Sequence, residues 1–356
     1  MNVVRSKVER AYRHLGRDNA LNFIRLVLAI LVIVDHSYPI GGLGRDPALG
    51  DLGLGSLAVG GFFAISGYLI TKSRFNSNLG TYALNRALRI LPGYWACLVF
   101  TAFMAAGAAG LFRGGWTAMD GLGFFVANVV MVKAGGGDIG STLAGLPYPG
   151  AWNGSLWTLR YEVLCYLVVG LALAFSWTKS CRIVFPLSLV AVTVFSLTAG
   201  AGSAGGVVAD LALLTPFFLS GACLYVYGDT IPCNIRWAAA ALALFVLAAV
   251  TGTGRSLAAL PLSYLFMWFG VAIPRAVGRL AQKNDFSYGA YLYAFPVQQL
   301  LAMIGVQALG TVPFILFSIV MTVPLAVLSW FLVEKPAIRL AKRWKRQAKF
   351  VPAQGR

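Results

Sequence analysis

The chain has 356 residues, of which 58% are hydrophobic and only 12% are charged. A soluble domain carries about twice that charged fraction, so the composition excludes an ordinary soluble protein and predicts an all-α, polytopic integral membrane protein. The formal net charge of +17 would suggest a nucleic-acid ligand in a soluble protein. Here the cations gather in loops on one side of the predicted spans, which is the positive-inside pattern. The expected partner is therefore the bilayer, with no nucleic acid.

Residues 1–20 are basic and amphipathic and lack the small-residue cleavage site of a signal peptide. They are predicted to form a cytoplasmic tail on the inner membrane surface. The transmembrane domain is predicted over 21–335, followed by a second basic cytoplasmic tail over 336–356. Ten apolar segments are candidates for spans: 21–40, 55–71, 91–112, 155–176, 183–200, 207–227, 235–252, 257–273, 288–307 and 312–333.

Ten spans place both termini in the cytoplasm, together with most of the 29 lysines and arginines. The apolar stretch 121–132 is short for a span, and a crossing there would scatter the cations over both faces. Residues 113–154 are therefore predicted to form an extracytoplasmic loop in which 121–132 is a re-entrant or interfacial helix. Trp152, near the end of this loop, suits the aromatic belt at the membrane interface.

The first span carries three ionisable residues, Arg25, Asp35 and His36. Each costs free energy in hydrocarbon unless it is paired or functional. Arg25 and His36 are eleven residues apart, which places them on one helical face about 16 Å apart. Two plainer interpretations stay open: Arg25 snorkels to lipid phosphates, and His36 is a helix-capping or packing residue. The five cysteines form no CxxC pair, so no metal site is predicted.

The second span ends with Ser66 and Tyr68 on a helix whose glycines at 60, 61 and 67 allow close helix packing. At the mouth of the third span, Arg86 and Arg89 share a helical face at i,i+3. These two arginines are either positive-inside charges or a fork for phosphate groups.

The fourth span contains Arg160 and Glu162. Neighbours at i,i+2 do not face each other on a helix, so each needs a partner on another helix or in a wet cavity.

Taken in chain order, these segments resemble the membrane-bound acyltransferase family 3, which O-acylates carbohydrates at bacterial surfaces. Many relatives carry histidine where this chain has Ala294, and its absence places more weight on His36. Residues 341–356 leave no room for the hydrolase-like domain that some relatives append, so a stand-alone form is expected. The matching elements are Arg25-x10-His36, "FFAISGYLI" (62–70), Arg86-x-x-Arg89-Ile-x-Pro, "SLWTLRYE" (155–162), "FSYGAYLYAFPV" (286–297) and "VEKPA" (333–337).

The resemblance implies a multi-pass enzyme of the bacterial inner membrane. It would move an acyl group, with acetyl expected, from cytoplasmic acyl-CoA to a hydroxyl of a cell-surface carbohydrate or glycolipid. No permanently bound cofactor is implied, since acetyl-CoA would be the donor substrate, and a homo-oligomer is left open. The alternatives are a transporter or flippase of a lipid-linked or anionic substrate, and a structural subunit of an envelope assembly.

The resemblance also implies roles for individual residues. His36 would act either as general base or as acyl carrier, and Glu162, with Asp35 as the runner-up, would orient its imidazole. The donor site implied for acyl-CoA comprises Arg25, Arg86, Arg89, Ser66 and Tyr68.

Overall fold

The computed structural model describes residues 19–131, 136–200 and 206–341, and these residues are almost entirely helical. The two predicted basic tails therefore lie mostly outside the described residues. The helices are α1 Leu21–Gly41, α2 Leu54–Phe75, α3 Leu79–Arg113, α4 Ala118–Asn128, α5 Trp157–Ala172, α6 Ser176–Ser180, α7 Val184–Gly200, α8 Val207–Val226, α9 Ile235–Val250, α10 Gly254–Leu257, α11 Ala259–Ala272, α12 Arg275–Gln282, α13 Ser287–Met303 and α14 Thr311–Ala341. A short antiparallel hairpin, β1 Ala48–Leu49 and β2 Leu52–Gly53, separates α1 from α2.

Every predicted span coincides with one of these helices, which confirms an all-α, polytopic membrane protein. In the described part of the chain, six helices are long and apolar enough to cross a bilayer: α1, α2, α3, α8, α14, and α5 together with the 3₁₀ turn before it. The helices α7, α9, α11 and α13 are shorter. The count of ten crossings and the cytoplasmic termini stay predictions.

Helix α3 differs most from its predicted bounds. It begins at Leu79, where the side chain of Asn78 accepts a hydrogen bond from the backbone N–H of Thr81, and it runs through Pro92. A π-helical turn, Phe100–Ala105, interrupts it before it ends at Arg113. The prediction began this span at 91 because its first turns are polar, and polarity hides a helix from a search for apolar segments.

Helix α4 gives the 121–132 stretch its structure. It has 11 residues and begins with a capping box in which Thr117 and Asp120 exchange hydrogen bonds. The predicted helix in this loop is therefore present. Its re-entrant or interfacial placement stays a prediction.

The described chain divides into two compact units. The described residues of the first are 19–38, 44–76, 161–200 and 206–287, and those of the second are 39–43, 77–131, 136–160 and 288–341.

Close contact between α2 and α8 organises the first unit. A Cβ atom added at Gly67 would lie 2.8 Å from the carbonyl carbon of Phe218, and one added at Gly221 would lie 2.9 Å from that of Ala64. A Cβ at Gly60 would lie 2.7 Å from the ring of Phe217. The glycines of α2 therefore have the packing role that their spacing suggested, because only glycine lets the two backbones approach this closely.

In the second unit, hydrogen bonds attach the loop before α5 to α13. The Gln299 amide donates to the carbonyl oxygens of Tyr148 and Ala151, at 2.9 and 2.8 Å. Trp152 is fully buried, and its indole N–H donates to the hydroxyl of Thr142 at 2.9 Å. The predicted interfacial role of Trp152 is wrong, because the loop folds over this side chain and buries it in the protein.

Candidate active site

Helix α1 positions Arg25 and His36 on one helical face, as the spacing predicts. The Arg25 guanidinium forms an ion pair with Asp285, with Nη1 and Oδ2 2.6 Å apart, and lies 5.8 Å from the centre of the Phe62 ring. Only 19% of the Arg25 side chain is exposed. This arginine is therefore held inside the first unit and does not snorkel to lipid.

His36 and Asp35 lie toward the other end of α1, and both are half-buried. The Asp35 carboxylate accepts a hydrogen bond of 2.8 Å from the backbone N–H of Gly55, in the first turn of α2. The first N–H groups of a helix have no partner within the helix and favour a negative charge nearby. Asp35 therefore has a structural task at the start of α2.

Glu162 is the centre of a polar cluster in the first unit. Ser66 Oγ on α2 donates to Glu162 Oε1 at 2.6 Å, and the hydroxyl of Tyr166, one turn further along α5, donates to the same oxygen. Tyr166 also lies within hydrogen-bonding distance of Ser66 Oγ, at 3.3 Å. The structure thus brings together two predicted site residues, Ser66 and Glu162, and adds a third side chain.

The remaining predicted donor residues have different surroundings. Tyr68 is fully buried, and its ring packs edge-on against Tyr225 with 5.5 Å between ring centres, which favours a packing role. Arg86 and Arg89 lie on α3, in the second unit. Arg89 forms an ion pair with Glu334, with Nη1 and Oε2 3.1 Å apart.

Sequence reasoning missed three residues that define this geometry: Tyr166, Asp285 and Glu334. Glu334 stands inside the quoted "VEKPA" element, and Asp285 directly precedes "FSYGAYLYAFPV". Tyr166 stands four residues after Glu162, and residues at this spacing are neighbours on a helix. That spacing was the available signal for Tyr166, whereas the partners of the two acids are 260 and 245 residues away.

Comparison with known proteins decides the class. The family model of the acyltransferase domain matches residues 18–331 of this chain. The chain belongs to the acyltransferase 3 family. This acyltransferase is 33% identical to an O-acetyl transferase of Shigella phage Sf6 over 331 residues, covering 90% of this chain and 96% of the phage protein. It is 27% identical to nodulation protein 10 of Rhizobium leguminosarum bv. viciae, covering 91% and 94% of the two chains. No solved structure matches it.

The predicted enzyme is thereby confirmed as a membrane acyltransferase, in place of a carrier or structural subunit. The matched residues include α1, α2, α3 and α5, so the elements with the candidate site residues all lie within the family domain.

Proposed function

We propose that this acyltransferase transfers an acetyl group from acetyl-CoA to a hydroxyl of a cell-surface carbohydrate or glycolipid, in a bacterial cytoplasmic membrane. The phage relative named O-acetyl transferase supports acetyl as the transferred group. The motif order of the sequence, which resembles carbohydrate O-acyltransferases, supports the acceptor class.

The geometry of Glu162 is the observation that carries this proposal. Both of its hydrogen-bond donors, Ser66 and Tyr166, reach the same oxygen, Oε1. Among the described residues, no hydrogen bond reaches Oε2, and the side chain is half-buried. A carboxylate held by one oxygen keeps a fixed orientation and offers the other oxygen to an imidazole or to substrate, which is the arrangement that a histidine base requires.

His36 is then the group that moves the proton. Its imidazole takes the proton of the acceptor hydroxyl while the acceptor oxygen attacks the thioester carbonyl of acetyl-CoA. The carbon–sulfur bond breaks, and the CoA sulfur leaves as the thiol after receiving that proton. Glu162 stabilises the imidazolium between these two transfers. In the acyl-carrier variant, the unprotonated ring nitrogen of His36 attacks the thioester carbonyl, the carbon–sulfur bond breaks, and the CoA sulfur leaves with the proton of the other ring nitrogen. The acceptor oxygen then attacks the acetyl carbon, the carbon–nitrogen bond breaks, and the acceptor proton returns to the imidazole.

The donor is an anion, and Arg25 and Arg86 each offer a cation to match it. Guanidinium groups bind phosphates through paired N–H donors. Arg25 lies about 16 Å along α1 from His36, so the phosphates and the thioester of one CoA would lie near these two separated positions of that helix.

The test compares wild-type protein with two histidine variants, His36→Ala and His14→Ala. The chain has only these two histidines, so His14→Ala is the matched control. We expect purified wild-type protein in nanodiscs to release CoA from acetyl-CoA and to acetylate the acceptor. His36→Ala should lower transfer by about 10²–10⁴-fold or more, since a general base typically contributes that much.

The acceptor is identified by mass spectrometry of surface glycans and lipids from cells with and without the gene. Acid-quenched protein that carries a labelled acetyl group on His36 would establish the acyl-carrier variant. Equal transfer by wild type and His36→Ala would contradict the catalytic role of this residue, and wild-type protein without any transfer would contradict the proposed function.

A further inference from the structure

Arg89 lies in a cage formed by one carboxylate and two aromatic rings of the second unit. Its guanidinium pairs with Glu334 at 3.1 Å and lies 5.5 Å from the ring centres of both Tyr288 and Trp330. Only 17% of its side chain is exposed. Rings at this distance attract a cation through their negatively polarised faces. The guanidinium is thus contacted from several sides by the protein itself.

Glu334 is built into the protein more firmly than a surface ion-pair partner. Its side chain is fully buried, and the hydroxyl of Ser329 donates to its other oxygen, Oε1, at 3.0 Å. It stands at the end of a π-helical turn, Trp330–Glu334, within α14. Removing one partner of a buried ion pair leaves an uncompensated charge, which is strongly destabilising. The buried charge of Glu334 therefore needs the Arg89 guanidinium as its partner.

The backbone of α3 lies close to Tyr288 and Glu334, two of the residues that surround Arg89. One turn after Arg89, a Cβ atom added at Gly93 would lie 2.9 Å from a ring carbon of Tyr288 and 3.3 Å from Cγ of Glu334. The hydroxyl of Tyr288 donates to the carbonyl oxygen of Ile90 at 2.9 Å. These contacts fix the segment of α3 that contains both arginines.

Arg86 has different surroundings, although it lies only three residues earlier on the same face. Its Nε atom is buried, and among the described residues it has no hydrogen-bond partner. A buried donor without a partner is costly, and on a guanidinium it indicates an anion that the protein alone does not supply.

We propose that the two arginines have separate tasks. Arg86 contacts an anionic phosphate group of the CoA donor, and Arg89 is a positioning residue that Glu334, Tyr288 and Trp330 hold in place so that α3 presents Arg86. This inference rests on the proposed function for the identity of the donor. The pairing of Arg89 with Glu334 does not depend on it.

The experiment measures binding of two ligands to full-length protein in nanodiscs by calorimetry: CoA, and pantetheine, which lacks every phosphate. Arg86→Ala should weaken CoA binding about tenfold or more, which corresponds to the loss of one charged hydrogen bond. Its pantetheine affinity should not change. Arg86→Lys should restore part of the CoA affinity, because a phosphate accepts a lysine point charge.

The Arg89 and Glu334 variants should act through Arg86. Arg89→Ala and Glu334→Gln should each weaken CoA binding and leave pantetheine binding unchanged, because both displace Arg86, and pantetheine has no phosphate for Arg86 to contact. Arg89→Lys should restore little, since lysine lacks the planar group that fits between carboxylate and rings. In thermal unfolding without ligand, the double variant Arg89→Ala/Glu334→Gln should lower the unfolding midpoint by less than the sum of the two single variants, because all three break the same ion pair.

Several results would overturn the inference. If Arg89→Ala weakens CoA binding while Glu334→Gln leaves it unchanged or tightens it, Arg89 is itself a phosphate ligand, because Glu334→Gln frees its guanidinium. Additive unfolding of the double variant would show that the ion pair does not hold Arg89. Wild-type protein that does not bind CoA would contradict the proposed function and the task of Arg86 together, whereas the unfolding result decides the pairing of Arg89 without any donor.

Discussion

The close approach of α2 and α8 gives the sharpest test of the fold around the candidate site. Gly67 lies directly after Ser66 on α2 and faces the backbone of α8 at Phe218. Substituting Gly67→Ala adds a single methyl group at this contact. The substitution removes no hydrogen-bonding group, so its effect combines the packing cost with the helix propensity of alanine.

The magnitude follows from the distances. The new Cβ would lie 2.8 Å from the carbonyl carbon and 3.0 Å from Cα of Phe218, where ordinary contact begins at 3.4 Å. A backbone cannot rotate away as a side chain can, so the two helices must move apart. Overpacking of this kind costs about 1–3 kcal/mol, and alanine returns about 0.5–1 kcal/mol through its better helix propensity. We expect a net loss of roughly 2 kcal/mol, because the obstacle is backbone.

The assay is thermal unfolding in nanodiscs, combined with acetyl transfer below the unfolding temperature. We expect the midpoint to fall by roughly 4 °C and transfer to fall as well, because displacement of α2 separates Ser66 from Glu162. The matched control is Gly123→Ala on α4, where an added Cβ meets no atom within 4 Å, so its midpoint should stay level or rise. Equal midpoints for Gly67→Ala and Gly123→Ala would refute the close approach of the two helices.

Two further predictions concern the site and the topology. Tyr166→Phe removes one of the two hydrogen-bond donors to Glu162, and we expect it to lower the rate of transfer more than the affinity for acetyl-CoA. Tyr161→Phe is the control for a lost tyrosine hydroxyl, because it loses a 2.6 Å hydrogen bond to Asp210. Equal rates in wild type and Tyr166→Phe would show that Glu162 needs no second donor. The topology is tested in a Cys181→Ser background with single cysteines at two exposed positions, Ala144 and Ser176. The cysteine at Ala144 should react with an impermeant thiol reagent added to intact cells, whereas the cysteine at Ser176 should react only after lysis. The reverse pattern would contradict cytoplasmic termini.

Helix positions were predictable because the length of an apolar run is a local property of the sequence. All ten predicted spans meet helices for this reason. The start of α3 was not predictable in this way, since a capping Asn78 and polar first turns begin the helix before the apolar run. The glycines of α2 were also informative, because their spacing has a mechanical consequence that does not depend on the partner helix.

Pairing between distant residues could not be predicted. Arg74 lies just after the predicted span 55–71, where the positive-inside pattern expects an exposed cation, yet it is buried and its Nε donates to the carbonyl oxygen of Gly170 at 2.9 Å. Asp210 lies within the predicted span 207–227 and accepts a hydrogen bond from Tyr161, which lies on another predicted span. Which acid meets which donor depends on tertiary packing, and a single sequence carries no record of that packing.

The partners of the acids also indicate which of them can work with His36. Asp285 and Glu334 each compensate an arginine, so their charge is needed for the fold. Asp35 accepts a backbone N–H at the start of α2, where a negative charge stabilises the helix. Among the described residues, Glu162 is the one of these four acids that is held by hydroxyl groups alone, and both hydroxyl groups donate to the same oxygen. Its other oxygen is therefore the one most able to bind and release a histidine during transfer, which favours Glu162 over Asp35 as the partner of His36.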